Sequence, residues 1–279
     1  MEFSKMHGLG NDFILIEAQA WEEADRFQPF AAALCDRNFG IGADGLVISG
    51  RDSECDIFMR IFNPDGSEPE MCGNAIRCVA KNAWEKKLVT DTQISVRTLA
   101  GPRHPEIIIN NGLVESIRVD MGEPVLETEK IPVETADNNN TAALSAAGQD
   151  FEFTAVSMGN PHCVIFVDKV EQIPVEEWGA EIEKHRIFPA KTNVEFVEVL
   201  GKNELIMRVW ERGAGVTLAC GTGACASLVA SVLNNKSERQ SVIHLLGGDL
   251  FVEWDSDTNH VFMTGPAATV FTGKIDIQY

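Results

Sequence analysis

The chain has 279 residues, of which 44% are apolar and 23% are charged, a composition typical of a globular protein with room for two domains of ordinary size. Its 42 Asp and Glu against 23 Lys and Arg give a net charge of −19 without a basic cluster, so neither nucleic acid nor an anionic membrane is an expected partner. No apolar run approaches the roughly 18 residues that a membrane span needs, and the start, MEFSKMHGLGND, lacks the pattern of a signal peptide.

The cysteine content indicates a reducing compartment. Seven cysteines form an odd set without a CxxC spacing, which argues against a disulfide framework and against a zinc site. Most of them are expected to be small buried residues. We therefore expect a cytoplasmic protein without a bound metal.

The first half of the chain has the pattern of a sheet with one helix. FILIEA, CDIFMRIF and ISVRTL predict strands, and Asn111-Gly112 predicts a hairpin turn within IIINNGLVESIRV. The stretch MCGNAIRC opens a helix that is expected over residues 74–87. After this half, the polar, turn-rich stretch from Thr135 to Gly148 is expected to be an exposed loop.

The second half repeats this pattern. CVIFV, VEFVEV, ELIMRVW and the run from VIHLLGGDLFVEW to HVFMTG predict strands, with a tight connection at GKNEL. The acidic stretch from Glu176 to Lys184, EEWGAEIEK, is expected to be a solvated helix face. A second helix is expected over residues 223–235, and its sequence GACASLVASVLNN is apolar on nearly every side, which predicts complete burial.

An internal repeat relates the two halves. MRIFNPDGSEPEMC ends at Cys72 and MRVWERGAGVTLAC ends at Cys220, so the second copy follows the first by 148 residues. Each copy has Met-Arg, an aliphatic and an aromatic residue, and a cysteine followed by glycine. The period is too long for a solenoid, and it predicts two homologous halves. The expected fold is α+β, with two pseudo-symmetric halves that each wrap a curved, mostly antiparallel sheet around a buried central helix.

The expected domain boundaries follow from the same repeat. The first domain spans residues 1–118 and carries Cys72, and the second spans residues 119–263 and carries Cys220. The closing residues 264–279 are expected to return to the first domain as a strand.

A cysteine at the start of a helix has two chemical consequences. The first turn leaves backbone N–H groups unpaired and carries partial positive charge, which stabilises a thiolate, lowers its pKa toward neutrality and attracts a carboxylate. The glycine after Cys72 and after Cys220 lets a ligand approach the backbone closely. If the two helix starts face each other, a carboxylate bound there has a sulfur on each side of its α-carbon. This arrangement predicts inversion of that carbon, in which one thiolate removes the α-proton and the other thiol returns a proton, without a cofactor.

Three other interpretations differ in what the cysteines do. A thiol hydrolase or transferase uses one nucleophilic cysteine beside a histidine base, whereas this chain has two equivalent sulfurs. A binding module tolerates the loss of either cysteine. A proline- or hydroxyproline-type racemase shares the two-thiol mechanism, but the polar residues Asn63, Asn193 and Arg212 are more than a small substrate needs.

The motifs resemble those of a known family. MHGLGNDF, FNPDGSEPEMCGNAIRC, SMGNPHCV, ERGAGVTLACGTGAC and MTGPA occur in this order from end to end and are similar to those of diaminopimelate epimerases. The resemblance implies a cofactor-independent isomerase that interconverts LL- and meso-2,6-diaminoheptanedioate, in the biosynthesis of lysine and peptidoglycan precursors. The partner it implies is this small-molecule substrate, and a homodimer is the family's expected assembly.

The resemblance also implies residue roles. Cys72 and Cys220 match the acid and base, and His162 and Glu211 are expected to influence their protonation. The other matched residues are expected to bind substrate. Gly73, Asn74, Gly221 and Thr222 fall on the reacting carboxylate, Glu211 and Arg212 near the reacting amino group, and Asn11, Asn63, Asn160 and Asn193 on the rest of the substrate.

One position departs from the family pattern. Many members carry glutamine at the end of the GIGxDQ motif, whereas this chain reads GIGADG and has Gly45 there. A glycine has no side chain to make that contact, so Gly45 is not expected to bind substrate.

Overall fold

A computed structural model describes residues 1–135 and 139–276 of the chain. The chain divides into two units, one made of Met1–Asp120 with Thr264–Tyr279 and the other of Met121–Met263. The expected domain boundaries, residues 1–118 and 119–263, stay a prediction. Of the expected closing strand, residues 277–279 lie outside the described part.

Strands dominate the described part of the chain. The strands are β1 (Glu2–Gly8), β2 (Asn11–Glu17), β3 (Gly45–Arg51), β4 (Ile57–Phe62), β5 (Val96–Arg97), β6 (Glu106–Asn110), β7 (Leu113–Asp120), β8 (Thr141–Ala146), β9 (Gln149–Ser157), β10 (Pro161–Phe166), β11 (Asn193–Gly201), β12 (Glu204–Glu211), β13 (Gly215–Val216), β14 (Gln240–Leu245), β15 (Gly248–Trp254), β16 (Val261–Gly265) and β17 (Ala268–Lys274). The helices are α1 (Ala31–Cys35), α2 (Gly73–Glu85), α3 (Val175–Glu183) and α4 (Gly221–Leu233), with 3-10 turns at Trp21–Arg26, Gln28–Phe30 and Val170–Gln172.

The sheet of the first unit curves around α2. Its strand order is β17-β1-β2-β3-β4-β5, and β1 pairs antiparallel with both β2 and β17. Helix α2 contacts β1, β2, β3, β4 and β17 of this sheet and also β7. Strands β6 and β7 form the predicted hairpin, in which Asn111 (φ 50°) and Gly112 (φ 79°) take the left-handed conformation that an Asn-Gly turn requires.

The sheet of the second unit surrounds α4 in the same way. Its order is β16-β15-β14-β12-β11-β10-β9-β8, with β13 beside β12, and α4 contacts β9, β10, β11, β12, β14 and β15. The helix is buried from Gly221 and Gly223 through Ser231, as its apolar sequence predicts. Its buried hydroxyls remain paired, because Ser227 donates to the Gly223 carbonyl and Ser231 donates to the Ser227 carbonyl, each at 2.7 Å. The α+β fold with a sheet-wrapped helix in each half is therefore confirmed.

The internal repeat holds in the local structure. Strand β4 leads to α2 and β12 leads to α4, and each helix begins at the glycine that follows a cysteine. Cys72 and Cys220 are the N-cap residues, with extended backbone angles (φ −142° and −117°). The predicted helix starts are therefore correct to within two residues.

The loop expected from Thr135 to Gly148 is wrong in part. Residues 136–138 lie outside the described residues, but Thr141–Ala146 forms β8, which pairs antiparallel with β9. Leu144 and Ala146 are buried and alternate with exposed residues along β8. Two buried residues among small and polar neighbours are too few to show a strand pattern in the sequence. The strand expected in ISVRTL is short, because only Val96–Arg97 pairs. Within the described residues, no helix has the length and apolar character to cross a membrane.

Gly179 in α3 provides a test of packing between α3 and β12. A Cβ at Gly179 would lie 2.4 Å from the Cβ of Trp210, an overlap that requires one element to move. We expect Gly179→Ala to lower the free energy of unfolding by about 1 to 3 kcal/mol, despite the better helix propensity of alanine. Gly201→Ala, which meets no atom within 4 Å, is the control and should leave the denaturant midpoint nearly unchanged. Equal midpoints for both variants would contradict this close packing.

Candidate functional site

In the first unit, two asparagine amides orient each other beside Cys72. Asn74, in the first turn of α2, donates from Nδ2 to Oδ1 of Asn11 at 3.1 Å. Asn11, at the start of β2, donates in turn to Oδ2 of Asp44 at 2.8 Å. Gly73 is the first helical residue. The structure therefore brings Asn11, Gly73 and Asn74 together at the N-terminus that Cys72 caps.

A charged network holds this group in place. Arg37 bridges Asp12 and Asp44 with contacts of 2.7 Å to each, and Lys5 lies 2.5 Å from Asp12. Burial acts to raise the pKa of Asp12, but hydrogen bonds from Arg37 and Lys5 outweigh it and lower that pKa to about 2. Asp12 is therefore ionised at neutral pH, and it anchors the residues around Asn11.

Asn63 and Gly45 are the two other positions of this unit that the sequence analysis singled out. Asn63 follows β4, and its Nδ2 donates to Oγ of Ser67 at 2.9 Å. Gly45 is the buried first residue of β3, where a Cβ would lie 3.4 Å from the Phe13 ring. That distance is an ordinary contact, so the position has room for a Cβ that glycine does not supply.

In the second unit, Cys220 is held by the first turn of α4. Its Sγ accepts a hydrogen bond from the backbone N–H of Gly223 at 3.3 Å and lies 3.5 Å from Oγ1 of Thr222. Gly221 is the first helical residue. This geometry matches a helix-start cysteine as the sequence predicts.

The expected lowering of the thiol pKa is wrong for Cys220. Burial raises the pKa of Cys220 well above its usual range, and the nearby carboxyl of Glu211 raises it further. The hydrogen bonds from Thr222 and Gly223 act in the opposite direction and are outweighed. Cys220 is consequently a thiol, which is the state of a proton donor.

Glu211 lies beside Cys220 at the end of β12. Its carboxyl accepts a hydrogen bond from the Thr217 hydroxyl and interacts with the Cys220 thiol. Burial raises the pKa of Glu211 despite these contacts. Glu211 and Cys220 are thus neighbouring acidic groups, and burial raises the pKa of each.

Asn193 holds the backbone next to Glu211. Its Oδ1 accepts from the backbone N–H of Arg212 at 2.9 Å, and its Nδ2 donates to the Pro161 carbonyl at 2.8 Å. The exposed Arg212 side chain donates to the Ala190 carbonyl at 3.2 Å. In this structure Asn193 positions Arg212, while its expected contact with substrate stays a prediction.

His162 lies in a buried polar chain. Its Nδ1 is 2.7 Å from Oε1 of Glu195, and its Nε2 is 3.0 Å from Oδ1 of Asn160. His162 and Glu195 are both completely buried. Strands β10 and β11 create this contact, because their parallel register places His162 beside Asn193, two residues before Glu195.

Two functional candidates escaped the sequence analysis, Glu195 and Glu183. An acidic residue within the apolar strand pattern VEFVEV is unusual, and this is the sequence feature that could have indicated a buried Glu195. The stretch around Glu183 does form a helix, but its interpretation as a solvated face is wrong for Glu183, which is 3% exposed. Glu183 accepts from Nε1 of Trp210 at 2.9 Å and from the backbone N–H of Gly213 at 3.2 Å, and so fixes the turn after Glu211.

No metal-binding group occurs in the described residues. Among residues 1–135 and 139–276, no three His, Cys, Asp or Glu side chains are arranged to hold a metal ion. The chemical groups present are thiols, carboxyls, an imidazole and amides at two helix N-termini.

Comparison with known proteins identifies the family. The family model for diaminopimelate epimerase matches residues 3–127 and 154–270. The diaminopimelate epimerase of Desulfitobacterium hafniense is 53% identical over 99% of this chain and 98% of its own length. That of Methanococcus maripaludis is 51% identical over 99% of this chain and 100% of its own.

The chain belongs to the diaminopimelate epimerase family.

Solved structures with low sequence identity share the fold of the chain. A hydroxyproline epimerase from Agrobacterium vitis with bound trans-4-hydroxy-L-proline aligns with a TM-score of 0.70 and 16% identity, over 98% of this chain and 91% of that one. A phenazine biosynthesis protein of the PhzF family from Bacillus anthracis aligns with a TM-score of 0.70 and 15% identity, over 99% of both chains. At these identities the likeness extends to the fold and not to the reaction.

The raised pKa of Cys220 leads to a test by thiol labelling. Glu211→Gln removes a carboxyl that raises this pKa, so we expect Cys220 to react with methyl methanethiosulfonate at a lower pH than in the unmodified protein. Peptide mass spectrometry across a pH series measures the labelled fraction. Glu198→Gln, which removes a carboxyl bound to Lys169 on the same strand as Glu195, should leave the Cys220 profile unchanged. An unchanged or alkaline-shifted profile for Glu211→Gln would refute the electrostatic role of Glu211.

Proposed function

We propose that the chain interconverts LL- and meso-diaminopimelate by inverting one α-carbon, as an isomerase of lysine and peptidoglycan-precursor biosynthesis. The observation that carries this proposal is the family match over nearly the whole chain, together with identities near 50% to diaminopimelate epimerases. The proline-type racemase is not favoured, because its likeness to the chain is one of fold at 16% identity.

In the proposed mechanism, two thiols carry the protons. Cys72 and Cys220 both cap helices whose first residue is glycine, which supports the same chemical role for each. Burial and the neighbouring Glu211 carboxyl raise the pKa of Cys220, so we assign Cys220 as the acid and Cys72 as the base in one direction of the reaction. The roles exchange for the reverse reaction. This proton transfer uses groups of the chain itself and needs no cofactor.

The reacting carboxylate is proposed to bind at helix N-termini. The amides of Gly73 and Asn74 in α2 and of Gly221 and Thr222 in α4 lie where a helix attracts anions. Negative charge grows on this carboxylate as the α-proton leaves, and fixed N–H groups stabilise it. Glu211 and His162 are proposed to influence proton transfer. The rest of the substrate is proposed to be held by Asn11, Asn63, Asn160, Asn193, Glu211 and Arg212.

The proposed assembly is a homodimer in the cytoplasm. Strand β17 lies at the edge of its sheet, and its Val270 and Phe271 are 56% and 46% exposed. An exposed apolar edge strand is a surface that a second copy can cover. Thiol chemistry at Cys72 and Cys220 requires reduced cysteines, which supports a reducing compartment.

The function and the roles of the cysteines are tested together in D₂O. We expect proton NMR of LL-diaminopimelate with the reduced enzyme to show the meso isomer with deuterium at the inverted α-carbon alone. Cys72→Ser and Cys220→Ser should each slow this conversion by about 10²- to 10⁴-fold, because each removes an acid or base. Cys55→Ser, outside both helix starts, should retain full activity. Exchange of proline in place of diaminopimelate would contradict the substrate, and an active Cys72→Ser variant would contradict the two-thiol mechanism.

The dimer is tested at Val270. Val270→Asp places a charge on the exposed edge strand, so we expect a shift from dimer to monomer in sedimentation velocity. Phe39→Asp makes a similar change at a side chain that is 95% exposed elsewhere, and it should leave the dimer intact. A monomeric unmodified protein, or a dimer that resists Val270→Asp, would exclude β17 as the interface.

A further inference from the structure

Glu195 is a completely buried carboxyl to which the proposed reaction gives no role. It is the third residue of β11, and its Oε1 lies 2.7 Å from Nδ1 of His162. Its Oε2 has no hydrogen-bond partner among the described residues. A buried carboxyl oxygen without a hydrogen-bond partner is destabilising. We therefore look for the role of Glu195 in the residue that it contacts, His162.

The Glu195 carboxyl is seated against the first turn of α4. A Cβ at Gly223 would lie 2.8 Å from Oε1 of Glu195, so the glycine leaves room for the carboxyl. The N–H of that same Gly223 donates to Sγ of Cys220. Glu195 therefore fills the space between His162 and the helix start that Cys220 caps.

The donors and acceptors of Asn160, His162 and Glu195 determine where hydrogens lie between these three side chains. Oδ1 of Asn160 only accepts, so Nε2 of His162, at 3.0 Å, carries a hydrogen. One more hydrogen lies between Nδ1 of His162 and Oε1 of Glu195. On Nδ1 it makes an imidazolium and a carboxylate, whereas on Oε1 it makes a neutral imidazole and a neutral acid.

The surroundings favour the neutral pair. Both side chains are completely buried, and two buried charges with one bare carboxylate oxygen are costly. In the neutral acid, the bare Oε2 is a carbonyl oxygen, which costs less to bury. Burial raises the pKa of Glu195 in the same direction, although His162 opposes it, and Glu211 adds a further acidic group nearby.

We propose that Glu195 is a positioning residue that donates its carboxyl hydrogen to Nδ1 of His162, fixes the Nε2–H tautomer, and thereby turns Oδ1 of Asn160 toward the ring. The NH₂ group of Asn160 then points away from His162 and presents two donors. Donors suit a substrate carboxylate and disfavour an ammonium group. This inference rests on the proposed function, which assigns Asn160 to diaminopimelate.

Variants of Glu195 separate its hydrogen bond from its charge. Glu195→Gln keeps a donor for Nδ1, because its amide N–H replaces the carboxyl hydrogen. Glu195→Leu has a similar size and no donor, so His162 can take the Nδ1–H tautomer, its Nε2 becomes an acceptor, and the Asn160 amide turns over. Glu198→Gln is the matched control, since Glu198 is a nearly buried carboxyl on the same strand that contacts Lys169 and Val170.

The tautomer is measured by ¹⁵N NMR on the full chain labelled at histidine, with the His162 signals assigned from their loss in His162→Gln. We expect neutral His162 with hydrogen on Nε2 in the unmodified protein, in Glu195→Gln and in Glu198→Gln. Glu195→Leu should show a mixture of both tautomers. A doubly protonated His162 in the unmodified protein overturns the proposal, and this result requires no Glu195 variant to fold.

Kinetics supply the second readout. We expect KM for diaminopimelate to stay within about twofold in Glu195→Gln and to rise about tenfold in Glu195→Leu, with a smaller change in kcat. A Glu195→Leu enzyme with an unchanged tautomer and KM, or a Glu195→Gln enzyme as impaired as Glu195→Leu, also overturns the proposal. The spectra require no substrate. An unmodified protein that shows the expected tautomer and does not epimerise diaminopimelate therefore contradicts the proposed function and leaves the Glu195–His162 relation standing.

Discussion

The burial of one helix inside each sheet is the constraint on which the other features depend. A helix contacted on every side has no solvated face, so its residues must be small or apolar and its polar groups must be paired within the protein. Helix α4 meets both demands with buried alanines and with Ser227 and Ser231, whose hydroxyls donate to the helix backbone. Its N-terminal amides lie next to Cys220 and Gly221, two of the residues to which the proposed reaction gives a role.

The same burial sets the protonation of the site. A helix N-terminus stabilises a nearby anion by about 0.3 to 1 kcal/mol in exposed settings, up to about 2 kcal/mol when partly buried. Burial of an ionised group can shift its pKa by several units, which is the larger effect. This balance explains why the pKa of Cys220 is raised although it caps a helix, and why the pKa values of Glu211 and Glu195 are raised as well. In the second unit, burial thus raises the pKa values of one thiol and two carboxyls that lie close together.

Buried side chains away from the thiols give this group its geometry. Glu183 holds Trp210 and Gly213, and Asn193 holds the backbone of Arg212, so the turn that follows Glu211 is fixed from two sides. Accurate placement of acid and base groups depends on such supporting contacts. The proposed role of Glu195 belongs to the same scheme, because it determines which end of an amide faces the substrate.

Features that arise from local spacing can be predicted from the amino-acid sequence. Cysteine followed by glycine marked both helix starts, the apolar run after Cys220 marked a fully buried helix, and Asn111-Gly112 marked the hairpin. The ordered motifs determined the family. Features that depend on distant segments were decided by the tertiary structure alone. Leu144 and Ala146 form a strand because β9 pairs with them, Glu183 is buried because α3 packs against β12, and Glu195 meets His162 because β10 and β11 run parallel in one register. The pKa of Cys220 belongs to this second group, because desolvation depends on what surrounds a side chain and a local motif does not record its surroundings.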